Sequence, residues 1–176
     1  RRRTARKRYD PSAWTRVPVD ALQANYDTQG WTGAMGQWRT RSLERLAARI
    51  REVSEREGRA ATLLDVACFT GEYFGRLMAV DGMERMLRYT GVDVTPQYVQ
   101  RAAERWAAYA NAEFRVGSAL QLEFPDRSFD LVFNSGMLIH VADPGRCVRE
   151  CVRVARALAL IETTVEPSLS REWEDE

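Results

Sequence analysis

Thr62-Leu63-Leu64-Asp65-Val66-Ala67-Cys68-Phe69-Thr70-Gly71-Glu72-Tyr73-Phe74-Gly75-Arg76-Leu77-Met78 is the stretch that decides the fold. Thr62 to Val66 is a short, nearly continuous apolar run, the mark of a parallel strand buried on both faces. Small residues follow and end at Gly71. The spacing then turns helical, with Tyr73, Phe74, Leu77 and Met78 on one face. A strand, a tight turn and a helix form the first half of a βαβ unit. In an open α/β sheet the ligand crevice lies at the carboxyl ends of the strands, so the 67–71 turn is the expected ligand site. The helix start adds unpaired N–H groups to that end.

Tyr89 to Val94 reads as the second strand, and Asp93 falls at its end, 22 residues beyond Gly71. An acid about 20 residues past such a turn accepts hydrogen bonds from ribose hydroxyls in nucleotide-binding βαβ folds. The competing role is capping of the next helix. Thr95 with Pro96 behind it is the better N-cap and N1 pair, which leaves Asp93 for the ribose and places Val94 against an adenine.

The remaining elements follow in order. Residues 9–38 hold Tyr9, Trp14, Tyr26, Trp31 and Trp38, punctuated by Gly30, Gly33 and Gly36, which argue against one long helix. Val19 to Tyr26 fits one short helix, and Tyr26 is the aromatic expected to touch a cofactor or substrate. Residues 38–57 form an amphipathic helix through Leu43, Leu46, Ala47, Ile50 and Val53, stopped by Gly58. Met83, Met86 and Leu87 suggest a short helical segment. Pro96 to Tyr109 is a helix with Tyr98, Val99, Ala102, Ala103 and Trp106 turned inward. Ala112 to Val116 is a third strand and Phe129 to Phe133 a fourth. Asn134, Ser135 and Gly136 then offer polar atoms and a close backbone approach. Asp143-Pro144 starts a helix to Val154 that carries Cys147, Val148, Cys151 and Val152 inward, and Ala157 to Val165 is a fifth strand.

At 176 residues the chain suits one domain, and 45% apolar with 29% charged content is ordinary for a globular protein. The net charge of +1 argues against electrostatic nucleic-acid binding. Six of the first eight residues are basic and four of the last six are acidic, expected as solvated tails at 1–8 and 167–176. Lys7 stands alone against 25 arginines, a bias that surface electrostatics does not require. Cys68, Cys147 and Cys151 lack a His/Cys partner set, so reduced thiols and no metal are expected. No apolar run approaches the about 20 residues of a membrane span, and no apolar segment follows the basic start as in a signal peptide. A cytoplasmic location is therefore expected. The chain begins without Met, as expected of a trimmed or partial product.

Asp65, Thr70 and Gly71 match the acid-Gly-x-Gly-x-Gly motif of the class I S-adenosylmethionine-dependent methyltransferases, with Ala67 and Phe69 at two of the glycine positions. The run Leu122-Glu123-Phe124-Pro125-Asp126-Arg127-Ser128-Phe129-Asp130-Leu131-Val132-Phe133 resembles their small-molecule signature, and Met137 to Val141 continues the likeness. The chain thus resembles that family over residues 60–165. The resemblance implies a Rossmann-like, doubly wound, mostly parallel sheet flanked by helices. It divides the chain into a lid plus amphipathic helix at 9–58 and a cofactor core at 59–166. The family's C-terminal antiparallel strands are expected to be missing here. S-adenosylmethionine is the implied cofactor, S-adenosylhomocysteine its product, and a small molecule the acceptor of a methyl group on O or N. Asp65, Ala67, Cys68, Phe69, Gly71, Asp93, Val94, Ser118, Ala119, Leu120, Asn134 and Ser135 are the implied cofactor contacts, with Tyr26 from the lid. Ser118 stands where the family usually has an acid, and the N–H of Ala119 or Leu120 would meet an adenine nitrogen. Ala67 fits if its φ is negative, whereas the Phe69 ring either turns aside to pack on the lid or reshapes the pocket. His140, the sole histidine, is the candidate base, with a packing role open beside it. A non-catalytic cofactor- or partner-binding module with the same fold is the second reading. A nicotinamide oxidoreductase shares the ribose acid but lacks the glycine spacing and a Tyr/Lys pair.

Overall fold

The computed structural model describes residues 18–28 and 31–163. The two charged tails, Tyr9, Trp14, the Tyr26 side chain and residues 164–166 lie outside the described part. Five parallel strands form one sheet: β1 (Ala61–Val66), β2 (Leu87–Asp93), β3 (Ala112–Val116), β4 (Phe129–Ser135) and β5 (Ala155–Glu162). Their spatial order is β3-β2-β1-β4-β5, so the direction of winding reverses between β1 and β4. The helices are α1 (Val19–Thr28), α2 (Gly33–Glu57), α3 (Glu72–Met78), α4 (Met83–Met86), α5 (Pro96–Arg105) and α6 (Pro144–Val154). This is a doubly wound, Rossmann-like α/β architecture, and its topological switch point is where a ligand crevice is expected.

Strand alternation builds the two cores. Leu63 and Tyr89 join Leu131 and Phe133 on one face, beneath Leu46, Ala47, Ile50 and Val53 of α2 and Phe74 and Leu77 of α3. Leu64, Val66, Val92 and Val132 point to the other face and meet Cys147, Cys151 and Val154 of α6. Each such fully buried aliphatic or aromatic side chain contributes about 1.5–3 kcal/mol. Gly58 ends α2 in the left-handed conformation at φ 63°. Asp143 caps α6 by accepting the Arg146 N–H at 2.8 Å.

Several expectations are corrected. The helix expected from residue 38 begins at Gly33, so Gly33 and Gly36 lie in the first turn of α2. Gly36 is needed there, because a Cβ would sit 2.1 Å from the Trp31 carbonyl carbon. Leu87 opens β2 instead of closing α4, pairing with Ala61 in the interior. α5 stops at Arg105, short of Tyr109, where the Trp106 indole leaves the helix to donate to the Thr70 carbonyl at 3.0 Å. Ala103 is exposed, one position past the buried Ala102, and Val152 likewise past Cys151, each about 100° round the helix from the core line. β4 runs on to Ser135, so Asn134 and Ser135 belong to the strand. β5 begins at Ala155 and ends at Glu162.

Candidate functional site

The turn after β1 keeps the backbone of a glycine loop without the glycines. Ala67, Phe69 and Gly71 all have positive φ, at 63°, 53° and 76°. The condition for an unstrained Ala67, a negative φ, is thus not met. The turn is fixed from β2, whose Val92 carbonyl accepts from the N–H groups of Ala67 at 2.7 Å and Cys68 at 3.0 Å. Left-handed non-glycine residues cost on the order of 1–2 kcal/mol each, which the surrounding bonds must hold in place. Gly71 has no such freedom to change. A Cβ there would lie 2.6 Å from Trp106 Nε1, and one on Gly75 would lie 2.2 Å from Cη2 of the same indole.

Two acids end the central strands. Asp65 is buried at 3% exposure and accepts the Tyr89 phenol at 2.6 Å through Oδ2. Its Oδ1 has no hydrogen-bond partner among the described residues. Burial pushes its pKa up to about 7, with the Tyr89 bond pulling the other way. Asp93 is also buried, and desolvation raises its pKa. It is not left free by Thr95: its carboxylate accepts the Thr95 N–H at 2.9 Å and the Phe69 N–H at 3.0 Å. Thr95 holds the N-cap position without a side-chain cap bond, so Asp93 itself orders the start of α5.

Between the switch-point strands lies a small cleft walled by Trp31, Arg39, Asp65, Ala67, Cys68, Phe69, Glu72, Tyr73 and Ser135. Tyr73 and Ser135 share a hydrogen bond of 2.9 Å, and Tyr73 meets Trp31 and Phe133 edge-on. The Phe69 ring meets Tyr98 of α5 edge-on at 4.7 Å. Glu72 is buried, and its Oε1 takes bonds from Gln23, Thr70 and Arg105. That network ties α1 to the turn and to α5. The Cys68 thiol packs against Gly91, where a Cβ would come within 2.8 Å of the sulfur.

Of the residues named from sequence, Asp65, Ala67, Cys68, Phe69 and Ser135 share this cleft, and Asp93 joins it through the Phe69 N–H. Gly71 supports the turn from beneath. Val94, 66% exposed, and the 118–120 loop lie beyond the carboxyl ends of β2 and β3. There Ser118 Oγ accepts the Leu120 N–H at 3.2 Å, which leaves Ala119 as the better donor of the pair. Asn134 is fully buried and bridges to the Val66 carbonyl at 2.7 Å, locking β4 to β1, while its Oδ1 has no partner among the described residues. His140 sits half-buried on a single 3-10 turn, Leu138–His140, outside the cleft wall, and burial lowers its pKa. Trp31, Arg39, Glu72 and Tyr73 were not named as site residues. Glu72 and Tyr73 were signalled by following Gly71; Arg39 is lost in the arginine-rich face of α2.

Asp130, in the diagnostic 122–133 run, is structural. It sits at the start of β4, away from the cleft, and takes a bidentate pair from Arg59 at 2.7 and 2.9 Å, with Thr62 and Arg156 also bonded. The Arg59 guanidinium holds its carboxyl well below the usual range. The three cysteines are free and buried, no metal-binding cluster exists among the described residues, and no described helix is long and apolar enough to cross a membrane.

Residues 64–161 match the family model described as a methyltransferase domain. The chain is 30% identical over 155 residues to ajmaline N-methyltransferase of Rauvolfia serpentina, covering 84% of this chain and 52% of that protein. It is 36% identical over 95 residues to 2-methyl-6-phytyl-1,4-hydroquinone methyltransferase of Synechocystis sp., covering 54% of this chain and 29% of the relative. The chain therefore spans about half or less of these relatives. A solved S-adenosylmethionine-dependent methyltransferase from Aquifex aeolicus superposes with a TM-score of 0.54 at 22% identity, covering 88% of this chain and 72% of the other, a likeness of fold.

Proposed function

The chain belongs to the methyltransferase domain family, and from that membership we propose that it transfers a methyl group from S-adenosylmethionine to an oxygen or nitrogen of a small-molecule acceptor, releasing S-adenosylhomocysteine. The observation that carries this reading is the cleft at the switch point. Its floor is a glycine-loop backbone and its wall is Asp65, whose Oδ1 has no partner among the described residues. The donor set fits the cofactor. Asp65 meets an ammonium, Asp93 a ribose diol, exposed Val94 an adenine face, and the Ala119 N–H a ring nitrogen.

A sulfonium supplies an already activated methyl, so what remains for the protein is orientation and exclusion of water. Asp93 and the 67–71 turn fix the sugar end through one shared hydrogen-bond network. Tyr73, Trp31 and Ser135 close the other side with aromatic surface and a single hydroxyl pair. His140 is the base in this reading. Its lowered pKa keeps the imidazole neutral near pH 7, able to take a proton from an acceptor hydroxyl or ammonium.

Calorimetric titration with S-adenosylmethionine and S-adenosylhomocysteine tests the proposal. Saturable binding is expected. No heat and no thermal shift at millimolar concentration would sink it.

A further inference from the structure

The 117–128 loop joins β3 to β4, and its regular pairing is the isolated Ser118–Gln121 bridge. Its backbone groups need other partners. Arg153 of α6 supplies them with all five guanidinium N–H groups. Nη1 donates to the Phe124 carbonyl and the Asp126 carboxylate, Nη2 to the Leu122 carbonyl and Glu150, and Nε to Glu150, each at 2.8 Å. Glu150 Oε2 accepts the Leu122 N–H at 2.8 Å. The pair thus serves Leu122 as a neighbouring strand would, taking its N–H and donating to its carbonyl. The Arg153 carbonyl also accepts the Arg127 N–H at 2.8 Å. Leu122, 4% exposed, is sunk in the core layer with Cys147, Cys151 and Val154, and Ala119 and Leu120 pack against that layer.

The Ser118 carbonyl accepts the Gln121 N–H at 3.0 Å, so the 118–121 turn stands directly on the clasped Leu122. The Ala119 N–H in that turn has no partner among the described residues. A hydrogen bond weakens steeply with misalignment, so a donor in this turn is only as selective as the turn is fixed. Resting on the cofactor reading above, we propose that Arg153, with Glu150, is a positioning residue for base recognition. It holds the Ala119 N–H in place for N1 of adenine, from a helix that carries none of the implied cofactor contacts. Lysine cannot take over, because one ammonium does not present a planar fork to two carbonyls and a carboxylate at once.

The test uses the full chain with S-adenosylhomocysteine and S-inosylhomocysteine, whose base has N1–H in place of the N1 acceptor and a carbonyl in place of the amino group. Wild type should prefer S-adenosylhomocysteine by about tenfold or more. Arg153→Ala and Arg153→Lys should each cut that preference to about threefold or less, through weaker S-adenosylhomocysteine binding. Glu150→Gln keeps an acceptor for the Leu122 N–H but removes the charge that holds the guanidinium, and should lower the preference in smaller degree should the Arg153 variants fail to fold. Asp130→Ala removes a bonded acid from the other end of the strands and should keep the wild-type preference. An unchanged preference in the folded Arg153 or Glu150 variants, the same loss in Asp130→Ala, or no preference in wild type overturns the role of Arg153 alone. Wild-type protein that binds neither ligand overturns the cofactor reading and this proposal together.

Discussion

The Asp93 carboxylate accepts a hydrogen bond from the backbone N–H of Phe69 at 3.0 Å, joining the end of β2 to the turn after β1. The same carboxylate holds the Thr95 N–H. One side chain therefore shapes the turn and starts α5. Asp93→Ala orphans two buried donors and should cost about 2–3 kcal/mol in urea denaturation. It should also weaken S-adenosylhomocysteine by tenfold or more, with the turn loosened and the diol partner gone. Unchanged stability would show that these bonds are not what orders the turn.

The three positive-φ positions of the turn should respond differently to mutation. Ala67→Gly relieves left-handed strain but adds freedom to the unfolded chain, so its net effect should lie within about 1 kcal/mol of wild type. Gly71→Ala adds strain and drives a Cβ to 2.6 Å from the Trp106 indole, and should lose about 2 kcal/mol or more. Thermal melts of the two variants check the contrast. Equal losses at both sites would mean that backbone conformation does not set the cost.

The strands and most helices were legible because burial on both faces leaves a plain apolar signature, as in Leu63 to Val66 and Leu131 to Phe133. The long α2 was not. Its glycines look like breakers until Trp31 is seen folding over Gly36. The ends of α5 and the exposed Val152 depended on tertiary contacts that periodicity does not carry. In the site, Asp65 and the turn were readable from spacing. The double engagement of Asp93 was not, because it depends on two backbone N–H groups from different elements. Arg39 left no local signal at all, since only the fold brings α2 to the cleft.

Asp130 offers the control for these site variants. Its bonds to Arg59, Arg156 and Thr62 tie β4 to β1 and β5 at the amino ends of the strands. Asp130→Ala should destabilise by about 2–4 kcal/mol and leave S-adenosylhomocysteine affinity within about twofold. Because its folded pKa is depressed, wild type should shed this stabilisation as pH falls below the ordinary carboxylate range. A large affinity change in Asp130→Ala would show that strand alignment at the far end reaches the cleft.

His140→Ala separates chemistry from binding. As a base it should cut turnover about 10²-fold or more while cofactor affinity stays unchanged. The loss should shrink at low pH, where the wild-type imidazole is itself protonated and cannot accept a proton. Full activity in the variant would assign His140 to packing on its 3-10 turn.

Asp65 gives the sharpest pH dependence. Its pKa is about 7 in the folded protein against an ordinary 3.8. Between those values the native state holds a proton that the unfolded chain has released. Stability from this group is therefore greatest at low pH and falls as pH rises to about 7, where the buried carboxyl ionises. Asn at this position can still accept the Tyr89 phenol but carries no charge. Between about pH 5 and pH 8, Asp65→Asn should gain roughly 2–3 kcal/mol on wild type in urea denaturation. Ligand binding should move the other way. An ammonium at Oδ1 favours the ionised carboxyl, so wild-type affinity for S-adenosylhomocysteine should rise with pH through about 7, and Asp65→Asn should bind weakly throughout. A variant less stable than wild type at pH 8 would mean that the Asp65 charge already has a partner in the folded protein.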